Sequence, residues 1–124
     1  MIVEDDKSLL GSLTEILRLK GYTVETAQSG QEAIEKSRIR LYDLALIDIV
    51  LPDMKGTEVL ATLNDSSSRM IKIMLTGHPT VQNASDSLTF GADGYLLKPV
   101  CPERLLKTIQ EALEGRAQND ERVL

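Results

Sequence analysis

At 124 residues, 42% of them hydrophobic, the chain is sized for one domain with its own core and not for a second. Its 19 acidic and 14 basic side chains leave a net charge of -5, which argues against direct nucleic-acid binding, and its one cysteine and one histidine, Cys101 and His78, exclude an internal disulfide and a Cys/His zinc cluster. No apolar run approaches the ~20 residues of a membrane span, so a cytoplasmic protein with neither a membrane span nor a signal segment is expected.

Apolar runs of strand length alternate with amphipathic segments of helix length, the pattern of βαβ units around a parallel sheet. The pattern predicts strands near 1–4, 23–27, 43–48, 71–76 and 94–97, and helices near 7–20, 30–41, 56–64, 80–90 and 102–115. The first strand is expected to be short, because the chain begins one residue before Ile2. The first helix sets Leu9, Leu13, Ile16 and Leu17 on one face and is stopped by Gly21. Strand 43–48 is apolar on consecutive positions, as a central strand covered on both faces should be. Residues 65–69 read as a loop. The helix near 80–90 contains Asn83, Ser85, Asp86, Ser87 and Thr89, weaker helix formers than Ala or Leu, and is expected to shift easily. In the last helix Leu105, Ile109, Ala112 and Leu113 share a face and Pro102 suits the first helical position. Cys101 precedes it as a poor cap with a thiol expected to be merely packed. Residues 1–115 form the predicted domain, and 116–124 a polar tail or linker.

The ends of four strands carry the chemistry. Ile2-Val3 runs into Glu4-Asp5-Asp6, Leu44 to Ile47 into Asp48, Ile71 to Leu75 into Thr76, and Tyr95 to Leu97 into Lys98-Pro99. The carboxyl ends of parallel strands share one edge, so these residues are expected to meet in one crevice. Clustered carboxylates repel one another unless a hard cation sits among them, and Mg2+ takes oxygen ligands. Asp5 and Asp48 suit direct ligation and Glu4 ligation through water, whereas Asp6 is expected only to cap the first helix. Asp48, at the end of an apolar strand, is a plausible nucleophile towards phosphorus. Lys98 supplies a compact positive charge and Thr76 a hydroxyl donor, in a reaction that asks mainly for positioning and charge neutralisation.

The segments Ile2 to Asp6, Asp43 to Gly56, Met74 to Gly77 and Gly91 to Pro99 together resemble the receiver domain of two-component response regulators, over Met1 to about Gly115. The resemblance implies a flavodoxin-like (βα)5 fold, a doubly wound five-stranded parallel sheet of order 2-1-3-4-5 with two helices on one face and three on the other. It implies that Asp48 accepts a phosphoryl group from a histidine kinase, and that Glu4, Asp5, Asp48 and the backbone carbonyl of Val50 hold Mg2+. Thr76 and Lys98 then bind the phosphoryl oxygens, and the Lys98-Pro99 bond is expected to be cis. Thr76, drawn towards the phosphoryl group, leaves space that Tyr95 turns inward to fill. The helix near 80–90, the strand 94–97 and the last helix then repack to alter a face for a downstream protein or attached domain.

On this reading the chain is a regulatory phosphoacceptor rather than an enzyme, and its upstream partner is a sensor histidine kinase or phosphotransfer domain. Val50 and His78 occupy the positions that tune hydrolysis of the aspartyl phosphate, and apolar Val50 predicts slow release. Two competing readings fit less well. An aspartate-nucleophile phosphatase commonly has a second acid two residues after the first, where this chain has Val50. A flavodoxin-like cofactor binder lacks here its phosphate loop and has only 4 aromatic residues to stack a flavin.

Overall fold

A computed structural model describes residues 1–66, 69–77 and 80–121. Strands β1 (Ile2–Val3), β2 (Thr26–Ala27), β3 (Leu44–Asp48), β4 (Ile71–Thr76) and β5 (Gly94–Leu97) alternate with helices α1 (Lys7–Leu19), α2 (Gly30–Ile39), α3 (Gly56–Ser66), α4 (Val81–Thr89) and α5 (Pro102–Glu121). The strands form one parallel sheet of order β2-β1-β3-β4-β5, as expected. The register pairs Ile47 with Met74, Asp48 with Leu75, and Met74 with Tyr95, which brings the strand ends to a common edge.

Side-chain alternation along the strands divides the interior into two cores. Ile2, Leu46, Ile71, Ile73, Leu75 and Leu96 pack with Leu10, Leu13 and Leu17 of α1 and Leu105 and Ile109 of α5, and the buried members of this core are all aliphatic. Val3, Ala45, Ile47 and Met74 point the other way, against Ala33 and Ile34 of α2 and Val59, Leu60 and Leu63 of α3. Helix α4 lies beside α3. On this second side the interior is mixed, because Lys72 and Thr76 of β4 and Ser87 of α4 are buried there too.

Several helix ends follow from local chemistry. Asp6 accepts the amides of Ser8 and Leu9 at 3.0 and 3.2 Å, the capping role expected of it. Helix α1 ends at a glycine as expected: Gly21 adopts φ +90°, and the Tyr22 N–H returns to the Leu17 carbonyl at 3.1 Å.

Other boundaries differ from expectation. Helix α2 stops at Ile39, because Arg40 is already extended at φ -138°. Asp65 and Ser66 belong to α3 rather than to a loop, and Ser67 and Ser68 lie outside the described residues. Helix α5 runs through Glu121, beyond the predicted end at 115. Arg116, expected in a polar tail, reaches the Asp43 carbonyl at 3.2 Å and so ties α5 to the start of β3. The Cys101 thiol is exposed rather than packed, and donates to a Glu103 carboxylate oxygen at 2.8 Å.

Candidate functional site

Glu4, Asp5 and Asp48 converge where β1 and β3 end, each presenting a carboxylate oxygen within 4.8 Å of the others. Glu4 and Asp48 are 1% and 5% exposed, whereas Asp5 opens to solvent. Each buried acid has one oxygen held by the backbone. The Asp6 N–H donates to Glu4 Oε1 and the Val50 N–H to Asp48 Oδ1, both at 3.1 Å. The other oxygens face Lys98, whose Nζ lies 2.7 Å from Asp48 Oδ2 and 2.9 Å from Glu4 Oε2. The Lys98-Pro99 peptide is cis, as expected. These groups line an open crevice of about 360 Å3 together with Val50 and Gly77. A larger hollow of about 490 Å3 lies at the opposite edge of the sheet, beside Tyr22, Tyr42 and Arg40. Ligands of open α/β sheets bind at the carboxyl edge, where the acids are.

The electrostatics follow from crowding. Burial, together with the neighbouring Asp48 carboxylate, pushes Glu4 up to about 7 despite the Lys98 ammonium. Burial acts to lower Lys98, but its hydrogen bonds to Asp48 and Glu4 outweigh this and hold it above the usual lysine range. One ammonium thus partly neutralises two acids. All the converging donors are carboxylate oxygens, two of them on buried side chains, and such a set fits a hard divalent cation. Glu4, Asp5 and Asp48 have the chemistry to hold one.

Thr76 ends β4, and its carbonyl accepts the Lys98 N–H at 2.7 Å. It is 1% exposed and lies behind the crevice wall rather than on it. Thr76 shares a sheet face with Met74, the partner of Tyr95 on the adjacent strand, so Thr76 and Tyr95 are diagonal neighbours. The Tyr95 ring packs against the core beneath α2 and α3, and its hydroxyl oxygen is buried without a hydrogen-bond partner among the described residues. That aromatic is therefore already tucked in here. His78 lies outside the described residues.

Two residues escaped the sequence reading. Lys72 sits inside a strand read as an apolar run and is 1% exposed, its ammonium lowered by burial. The break in hydropathy at Ile71-Lys72-Ile73 was the available signal. Asp53 accepts the amides of Gly30 and Gln31 at 2.8 and 2.9 Å, so the loop after β3 is fastened to α2. No local pattern announces that contact, because the partners lie more than twenty residues upstream.

Comparison with known proteins identifies the family and agrees with the fold. The family pattern described as "Response regulator receiver domain" matches residues 1–110. The chain is 33% identical over 122 residues to the cell cycle response regulator CtrA of Brucella ovis, covering 96% of this chain and 53% of that protein. It thus spans about half the length of the curated relatives it matches. A CheY-like receiver domain protein from Methanospirillum hungatei superposes with a TM-score of 0.93 at 42% identity, over 95% of this chain and 94% of that one. A response regulator from Burkholderia pseudomallei, crystallised with a phosphorylated aspartic acid, a calcium ion and citrate, gives 0.84 at 26% identity, over 98% and 71% of the two chains.

Proposed function

Since the chain belongs to the response regulator receiver domain family of two-component signalling, we propose that Asp48 is its phosphoacceptor. The observation that carries this is the meeting of Asp48, Glu4 and Asp5 with Lys98 at the carboxyl edge of the sheet. In the transfer, an Asp48 carboxylate oxygen forms a bond to phosphorus as the bond from phosphorus to a kinase histidine nitrogen breaks, the electron pair leaving with the imidazole. Glu4, Asp5, Asp48 and the Val50 carbonyl hold Mg2+, which when bound neutralises charge on the phosphoryl oxygens. Lys98 exchanges its contacts with the two carboxylates for a phosphoryl oxygen, and the Thr76 hydroxyl binds another. A phosphorylated aspartic acid is present in the Burkholderia relative, which supports the reading of an aspartate as acceptor.

The donor is a sensor histidine kinase or phosphotransfer domain, and the unit that receives the group is the domain of residues 1–115, with α5 continuing from it through Glu121. The role is regulatory rather than that of a turnover enzyme. Among the described residues no helix is long and apolar enough to cross a membrane, and we place the protein in the cytoplasm. With Tyr95 already packed inward, phosphorylation acts by drawing Thr76 towards the phosphoryl group and holding Tyr95 in place behind it, and α4, β5 and α5 repack to change a surface read by a downstream protein or attached domain. The acidic charge argues against direct contact with nucleic acid.

Incubation with acetyl phosphate and Mg2+, followed by intact mass, is expected to show a phosphoryl adduct on the wild type and none on Asp48→Asn. An adduct that persists in the variant, or is absent from the wild type, overturns the assignment. With exposed, apolar Val50 beside Asp48 and unable to orient water, the adduct is expected to decay slowly, and a half-life of seconds would refute that.

A further inference from the structure

The chain leaves β3 at Asp48 and returns as α3 at Gly56, and the base of this loop closes on itself. The Gly56 N–H donates to the Ile49 carbonyl at 2.7 Å, the Val50 N–H donates to Asp48 Oδ1 at 3.1 Å, and Val50 bridges Lys55. The return is so tight that a Cβ at Gly56 would run into the backbone of Asp48 and Ile49. The tip is held differently. Asp53 Oδ1 accepts the Gly30 N–H at 2.8 Å and Oδ2 accepts the Gln31 N–H at 2.9 Å. These are the first amides of α2, donors that a helix cannot satisfy internally, and they lie at the positive end of its dipole. The next amide, of Glu32, is taken by Ser29 Oγ at 3.1 Å. Beside the fork, Met54 and Val59 crowd Gly30 so closely that no Cβ would fit there. The tip therefore docks on α2 through two hydrogen bonds and an apolar contact.

We propose that Asp53 is a positioning residue for the cation site: by clamping the loop tip to the first turn of α2, it holds the segment carrying Asp48 and Val50 in a cation-binding arrangement while touching neither. The inference rests on the cation-binding reading above. The contacts at the base hold the ends of the loop to each other, and the clamp fixes how the loop as a whole, with the Val50 carbonyl, is set against α2 before any ligand arrives. Residues that touch metal ligands and orient them are commonly worth about 10- to 100-fold in affinity. Asp53 acts through intervening backbone, so a smaller factor of about threefold to tenfold is expected.

The test is Mg2+ affinity by titration calorimetry on the 124-residue chain, with thermal unfolding of every variant alongside. Asp53→Ala is expected to bind Mg2+ about threefold to tenfold more weakly. Asp53→Asn keeps an acceptor oxygen in place and should fall between it and the wild type. Ser29→Ala removes a neighbouring cap of the same helix, and is expected to lower the melting temperature while leaving the affinity unchanged. Unchanged affinity in Asp53→Ala, with wild-type binding intact, overturns the clamp. Equal weakening by Ser29→Ala overturns it too, since the effect would then belong to helix stability. A wild type that binds no Mg2+ overturns the functional reading and the clamp with it.

Discussion

The hydroxyl oxygen of Tyr95 is buried without a hydrogen-bond partner among the described residues. An orphaned buried polar group costs about 1–3 kcal/mol, so any arrangement in which the hydroxyl pairs or reaches solvent is favoured by that amount. Tyr95→Phe is therefore expected to raise thermal stability by about 1 kcal/mol, read from the melting temperature. A loss of similar size would show that the hydroxyl is satisfied in solution. Individual residues were unevenly legible. Asp48, Lys98 and the acids after β1 could be read because each directly follows an apolar run, and parallel topology gathers such ends. Asp53 could not, because its role depends on backbone amides supplied by a distant helix.

Among the elements, the strongly periodic helices α1 and α5 were legible from their apolar faces, and the errors fell at ends set by single residues. Arg40 ends α2 by turning extended, a choice its side chain does not advertise. The Arg116 contact with Asp43 anchors a turn of α5 that composition alone assigned to a tail. Helix α4 is the element whose sequence and setting both speak for mobility. It is rich in poor helix formers, its Leu88 is 75% exposed, and its Ser87 is buried. Hydrogen exchange with and without a phosphoryl mimic is expected to change protection across α4 and β5. Equal protection in the two states would count against repacking of this face.

For the molecule as a whole, the acid cluster links pH, cation and stability. The Glu4 carboxyl is raised from 4.5 to about 7, by burial first and then by Asp48, so the folded state prefers it neutral. Its contribution is fully present below pH 4.5 and is lost as pH rises through about 7. In chelator, the stability advantage of the wild type over Glu4→Gln is expected to shrink across that interval by on the order of 2 kcal/mol, measured by urea unfolding. Above that interval Mg2+ should stabilise the wild type more than the variant, because a bound ligand adds stability by mass action. An advantage that widens with pH in chelator would contradict this account.

The two cores described above have unequal contents, and the inequality has a mechanical meaning. If α1 or α5 were to lift from the sheet it would wet hydrocarbon, at ~25 cal/mol for each Å2 exposed. If α4 lifts, part of what water meets is Ser87, a polar side chain that gains hydration in return. The sheet is thus a partition between a fixed wall and a compliant one. A disturbance at the strand edge is relieved towards α4, because that is the side on which motion is cheap.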